Sequence, residues 1–205
     1  MPVSGLGLSS LIDQWQRIAS ATTEGELRRR IASDLQGGVV TKSTVLSHLA
    51  SLDGDDLQDV LCRSLDTTTH LKLSLSTVAH RGFRIWLHVY KPWTDGAGRF
   101  AASIHNHRYS FVGKILYGGY AEPTWEVSRD ALGGYSTRIY RAGDINEVDS
   151  ESVHSLDRVM PNTMTFIVQM PARKSYSVIY STDGRAPVQL PDLERKLELL
   201  IAEQR

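Results

Sequence analysis

Cysteine is nearly missing from this chain, with Cys62 the single one in 205 residues. That excludes an intramolecular disulfide framework and fits a reducing compartment. Net charge is missing as well. Lys+Arg and Asp+Glu are each 23, so there is no broad basic footprint for nucleic acid. No apolar stretch approaches the length needed to span a bilayer. Met1 to Leu11 lacks the basic segment and apolar run of a secretory leader. The expectation is a cytoplasmic protein that handles a small-molecule substrate, with neither nucleic acid nor membrane as partner. No internal repeat or low-complexity tract stands out.

What is present divides by its period. Leu11, Trp15 and Ile18 recur at helical spacing, with Ser9 or Ser10 available as a cap. Thr23-Glu24-Gly25-Glu26 has the form of a capping box, opening a helix that carries Leu27, Ile31 and Leu35 and stops at Gly37-Gly38. A third helix is expected around Lys42 to Ala50. A fourth follows Asp53 to Asp56, with Leu57, Val60, Leu61 and Leu65. From about Thr69 the period falls to two: Leu71, Leu73 and Leu75 alternate with Lys72, Ser74 and Ser76. Further strands are expected at 83–90, 119–128, 135–141, 163–170 and 175–180, with turns at Gly133-Gly134 and Pro171-Ala172. Short, closely spaced, turn-bounded strands argue an antiparallel sandwich or barrel. Leu193, Leu197, Leu200 and Ile201 then suggest a terminal amphipathic helix. The expected organisation is a helical segment over 1–68, a barrel over 69–182, and an exit loop with a C-terminal helix over 183–205, forming one structural unit.

Chemistry concentrates at Ile104-His105-Asn106-His107. In an extended strand His105 and His107 point to one face and Asn106 to the other. A second strand, Gly143 to Val148, leads into Val153-His154, whose imidazole can complete a facial set of three nitrogen ligands. Neutral imidazole suits iron, copper, nickel and zinc alike. The competing reading is three polar side chains on strands that never converge.

Phe111 lies four residues after His107, Gly118 seven after Phe111, and Gly143 eleven before His154. This frame resembles the two motifs of the cupin superfamily. Phe111 or Val112 stands in the family's glutamate slot. Asp149 and Glu151 replace its Pro and Gly, Arg158 replaces its Asn, and Gly98 is one residue out of step with its leading glycine. A helical preface before a barrel with three histidines and no carboxylate is similar to the cysteine dioxygenase-like, thiol dioxygenase-related cupins. The resemblance runs from about Leu11 to Tyr180. It implies a mainly β fold, a double-stranded β-helix (jelly-roll cupin barrel) with an N-terminal helical preface and a C-terminal helix. It also implies His105, His107 and His154 as metal ligands, Fe(II) or another divalent transition metal as cofactor, and O2 as co-substrate. The thiol-specific parts depart. The arginine that pairs with substrate in that family would fall in 69–78, where His70 and Lys72 are the cationic residues. The Ser-His-Tyr relay would fall where Thr165, Ile167 and Gln169 stand, and the crosslinking cysteine near Phe111 is absent. A substrate other than a thiol is therefore expected.

Other candidates follow from residue type. Arg108, Arg158, Arg138 and Arg141 could clamp an anion, and a guanidinium presents a two-pronged donor. Arg158 leads because it follows the third ligand, with Arg108 and Tyr117 beside it as substrate-binding candidates. Trp86, His88 and Tyr90 share one strand face. If it turns inward, His88 and Tyr90 are catalytic candidates for orienting substrate or passing protons; both faces of that strand are bulky, so the pattern does not choose. Tyr109, Tyr117 and Tyr120 read as wall and core, Trp125 as packing, and His48, His70 and His80 as surface. The functional expectation is an Fe(II)- and O2-dependent oxygenase of a small polar or amino-acid-like metabolite, without 2-oxoglutarate. The alternative is a non-redox metal cupin (isomerase, lyase or hydrolase) or a small-molecule-binding one. Pairing of two barrels into a homodimer is compatible with either.

Overall fold

The computed structural model describes residues 7–67, 69–75, 83–92, 103–129, 131–183 and 185–191. The C-terminal helix expected near Leu193 to Ile201, and His80, lie outside these. Four helices come first: α1 (Leu8–Ala19), α2 (Glu24–Gln36), α3 (Lys42–Ala50) and α4 (Gly54–Arg63). The Thr23 capping box forms as read, and Thr41 with Thr44 makes a second. The start of α1 differs. Its N-cap is Gly7, with no side-chain bond, and Ser9 and Ser10 lie inside the helix.

Twelve strands follow: β1 (Leu65–Asp66), β2 (His70–Ser74), β3 (Arg84–Tyr90), β4 (Ile104–His105), β5 (Tyr109–Tyr117), β6 (Gly119–Ser128), β7 (Ala131–Arg141), β8 (Ile145–Val148), β9 (Val153–His154), β10 (Met164–Ala172), β11 (Tyr176–Tyr180) and β12 (Val188–Pro191). They form two six-stranded sheets, ordered β1-β2-β3-β10-β5-β8 and β12-β11-β4-β9-β6-β7, and every pairing is antiparallel. The chain crosses between the sheets repeatedly, as a jelly roll does. Its strands extend to Pro191, past the expected barrel end at 182.

Two expected turns are strands. Gly133 and Gly134 lie within β7, where the register shifts between Trp125 and Val127, so the glycine pair marks a bulge. The hairpin reverses around Arg129, at φ 49°. Pro171 and Ala172 likewise end β10.

Helices α1 to α3 cover the outer face of the first sheet. Ile85, Leu87, Val112, Phe166, Val168 and Met170 share one core with Leu11, Trp15, Leu27, Ile31, Leu35 and Val45. Lys114 on β5 donates to the Leu35 carbonyl at 2.7 Å, closing the C-terminal turn of α2. Because strand side chains alternate, this outer apolar row forces Trp86, His88 and Tyr90 inward. That decides the face the sequence pattern had left open.

Candidate metal centre

The pairing register builds the histidine cluster. His105 on β4 is the direct cross-strand partner of His154 on β9, so both rings rise from one face at neighbouring positions. His107 follows two residues after His105. Asn106 points the other way, and its side chain accepts from the Val178 amide at 2.8 Å, tying β4 to β11. The three ring centroids form a nearly equilateral triangle with sides of 4.8, 5.0 and 5.0 Å. One ligating nitrogen of each lies within 4.8 Å of the others.

The remaining nitrogens say which way each ring faces. His105 Nδ1 lies 2.8 Å from the Ser103 carbonyl, so it carries the proton there and leaves Nε2 bare. His154 Nδ1 lies 3.2 Å from Glu122 Oε1. The N–H does not point straight along that line, so the contact is an electrostatic pair rather than an aligned hydrogen bond. His154 Nε2 faces His107 Nε2 at 2.8 Å. Two imidazole nitrogens 2.0–2.1 Å from one ion at a right angle would stand about 2.9 Å apart. That pair therefore fits one divalent metal ion, and His105 completes a group of three that could hold it. Each outward nitrogen of His105 and His154 meets an oxygen, as metal-bound imidazoles commonly require.

Electrostatics keeps two of the ligands, His105 and His107, in their metal-binding form. Burial, followed by the neighbouring His154, pushes His105 down to about 4. The same two causes, with His105 added, hold His107 well below its ordinary 6.5. Both are neutral at pH 7, as a ligating imidazole must be.

The cluster forms one wall of a cavity of about 140 Å³. Trp86, Phe111, Leu156 and Ile167 supply apolar lining; Lys72, His88, Tyr90 and Glu122 supply polar groups. Among the described residues lining it, Lys72 is the one Lys or Arg and Glu122 the one carboxylate.

No family model matches this chain, and no curated protein matches it in sequence. Solved structures of cupin fold do resemble it. An RmlC-like cupin from Shewanella frigidimarina is 18% identical over 55% of this chain and 86% of that one, at TM-score 0.38. KdgF from Halomonas sp. is 15% identical over 54% and 87%, at 0.38. Oxalate decarboxylase of Bacillus subtilis, a protein with Mn(II) centres, is 15% identical over 68% and 35%, at 0.40. The match thus spans about a third of the decarboxylase. Likeness at this level carries neither a residue nor an activity to this chain.

The sequence candidates are placed unequally. His105, His107 and His154 come together, and His88 and Tyr90 face them across the cavity. The three substrate-binding candidates lie outside its lining. Arg158 has a side chain 76% exposed, paired with its neighbour Asp157, because the chain turns at φ 46° there and carries it outward. Tyr117 is 48% exposed, under Lys42 Nζ. Arg108 directs its carbonyl to the Arg173 amide at 2.8 Å and is absent from the wall. Arg138 lies over the Tyr140 ring, and Arg141 is exposed. Among the described residues the cation at the cavity is Lys72.

His70 also differs from its surface reading. It lines the cavity and packs against His88, the rings tilted by 35° with centroids 4.4 Å apart. Two other lining groups, Glu122 and Asn146, escaped attention, and Gln169, noted only as standing in the relay's place, lines the cavity and accepts from Trp86 Nε1 at 3.0 Å. No spacing relative to the histidines marks Glu122 or Asn146. The one available signal was that Gln169 alternates with the apolar residues of β10.

Proposed function

We propose that this chain is a metal-dependent enzyme that takes a small polar or amino-acid-like metabolite onto the His105–His107–His154 centre. Its first form is an Fe(II)- and O2-dependent oxygenase that needs no 2-oxoglutarate. The observation that carries this is the convergence of three imidazoles with no carboxylate among them; the 2-oxoglutarate class uses two histidines and one carboxylate. Glu122 does not fill that role, since it stands on the Nδ1 side of His154, away from the facing Nε2 atoms. Bound there, Fe(II) would supply Lewis acidity and O2 activation.

The chain's own groups define what can bind. A cavity near 140 Å³ is close to the ~150 Å³ that holds one benzene in an apolar core, so the substrate is small. Lys72 offers an ammonium to an anionic group, its Nζ 4.2 Å over the Trp86 ring. Burial, with His70 and Lys72 nearby, holds His88 well below 6.5, so the neutral ring can donate or accept. Its Nε2 is buried with no hydrogen-bond partner among the described residues, which suits a bond to substrate. Burial and the Glu122 charge push Tyr90 up, so it acts as a hydrogen-bond donor and not as a base. Phe111, Ile167 and Leu156 give the cavity an apolar wall beside these groups.

A second reading is a non-redox isomerase, lyase or hydrolase using the ion as a Lewis acid. The buried Glu122 in the cavity wall favours it, since a carboxylate can serve proton transfer that oxygen activation does not require. Metal analysis of the purified protein separates the two. Iron, with O2 uptake on adding an amino-acid or hydroxy-acid substrate, supports the oxygenase. Zinc or nickel with turnover indifferent to O2 supports the second. In either case His154→Ala is expected to lose bound metal while keeping the folded circular-dichroism spectrum; stoichiometric metal in that variant would refute the centre itself.

A further inference from the structure

The cavity holds one acidic group that the ligand set does not use. Glu122 on β6 is 5% exposed. Its side chain meets no Lys or Arg among the described ion pairs; Oε1 lies instead 3.2 Å from His154 Nδ1. Its cross-strand neighbour Arg138 turns instead over Tyr140. The other oxygen, Oε2, accepts from Asn146 Nδ2 at 2.5 Å. Asn146 is itself 2% exposed, and the same Nδ2 donates to the Tyr120 hydroxyl at 3.1 Å. The carboxylate is thus held from behind by a buried amide and aimed at the third ligand.

Burying an unpaired carboxylate is unfavourable unless a compensating charge stands close by. A neutral imidazole gives little compensation. An imidazole polarised by a cation on its far nitrogen gives much more. We infer that Glu122, locked by Asn146, is a positioning residue for the metal centre: it holds the His154 ring with Nδ1 toward the carboxylate and Nε2 turned toward His107. The inference rests on the metal reading of the preceding section. It follows from a difference among the ligands: His105 leans on a backbone carbonyl, whereas His154 leans on the Glu122 carboxylate.

Co(II) serves as the probe, because its visible absorption bands report ligand geometry without turnover. Metal-stripped wild type, Glu122→Gln, Asn146→Ala and His154→Ala are titrated with Co(II), and each is also melted by heat. Glu122→Gln keeps the size and removes the charge. It is expected to bind Co(II) about 10- to 100-fold more weakly, the usual loss for an outer partner of a metal-bound histidine, with shifted bands and a melting temperature near that of wild type. Asn146→Ala, which frees the carboxylate without removing it, should weaken Co(II) in the same direction by less. A Glu122→Gln protein with wild-type affinity and bands, beside a His154→Ala protein that has lost Co(II), overturns the role of Glu122 and leaves the centre standing. Should His154→Ala bind Co(II) as wild type does, the metal reading falls first. If Glu122→Gln does not fold, wild-type Co(II) affinity in Asn146→Ala overturns the positioning role.

Discussion

Replacing Lys72 by Met is expected to make the protein more stable and worse at its task. Lys72 lies on β2 with its Nζ 4.2 Å over the Trp86 ring. Burial first, then the charges of Arg84 and Arg108, push its pKa down from 10.5 to about 8. Holding that ammonium charged at pH 7 therefore costs the folded state about 3 kcal/mol. The contact with the indole returns about 0.5–1 kcal/mol. Methionine is close in length, can lie on the same ring and carries no charge, so the variant should gain about 2 kcal/mol at pH 7. For a chain of this size that is about 4–8 °C in Tm. The gain must also depend on pH in one direction. Because the folded-state pKa is the lower one, the unfolded chain binds more protons at this position between about 8 and 10.5, and wild-type stability rises across that window. Urea unfolding of both proteins at pH 7 and pH 10 should show the advantage of Lys72→Met shrinking to under about 1 kcal/mol. Affinity for a small carboxylate should fall about 10- to 100-fold in the variant, the range of one lost charged hydrogen bond. A variant no more stable at pH 7, or one whose advantage is the same at both pH values, would refute the desolvated cation.

The metal-stripped wild type should lose stability in acid. His70 and His105 are both pushed down to about 4, mainly by burial. Their contribution is present above pH 6.5 and is lost as pH falls to about 4, up to about 3 kcal/mol for each ring. Urea midpoints flat between pH 7.5 and 4.5 would show that these rings are solvated. Gly118→Ala should destabilise by about 2 kcal/mol or more, read by calorimetry, because Gly118 sits at φ 71° and a Cβ there would press on the Thr163 side chain and backbone. Cysteine should turn over far below the roughly 1–10³ s⁻¹ of ordinary enzymes, since β10 presents Thr165, Ile167 and Gln169 to the interior. Sulfinate formed at such a rate, detected by mass spectrometry, would reverse that expectation.

The histidine cluster was legible because its cause is local and periodic. Two residues apart on a strand means one face, and a glycine-started strand delivers the third ring. Other parts of the site were hidden by a rule applied in the wrong direction. On β2 the alternation of Leu71, Leu73 and Leu75 with His70, Lys72 and Ser74 looks like a strand with its polar side in water. Here the leucine side meets helices, Leu73 and Leu75 packing against the core that α1 to α3 share with the first sheet. The polar side lines the cavity instead, which is why His70 was placed on the surface and Lys72 was passed over in favour of Arg158. The same inversion settles β3. Three amphipathic helices need a sheet face without polar groups, and of its two bulky faces the one carrying Phe83, Ile85 and Leu87 is wholly apolar. Weighing helices and strands together would have turned Trp86, His88 and Tyr90 inward from sequence alone. Glu122 could not be reached that way. Its approach to His154 depends on β9 lying between β4 and β6 and pairing Thr124 with His154. That register joins residues thirty positions apart and leaves no period to read. A buried carboxylate two residues from that pairing, on the same strand face, is a consequence of topology.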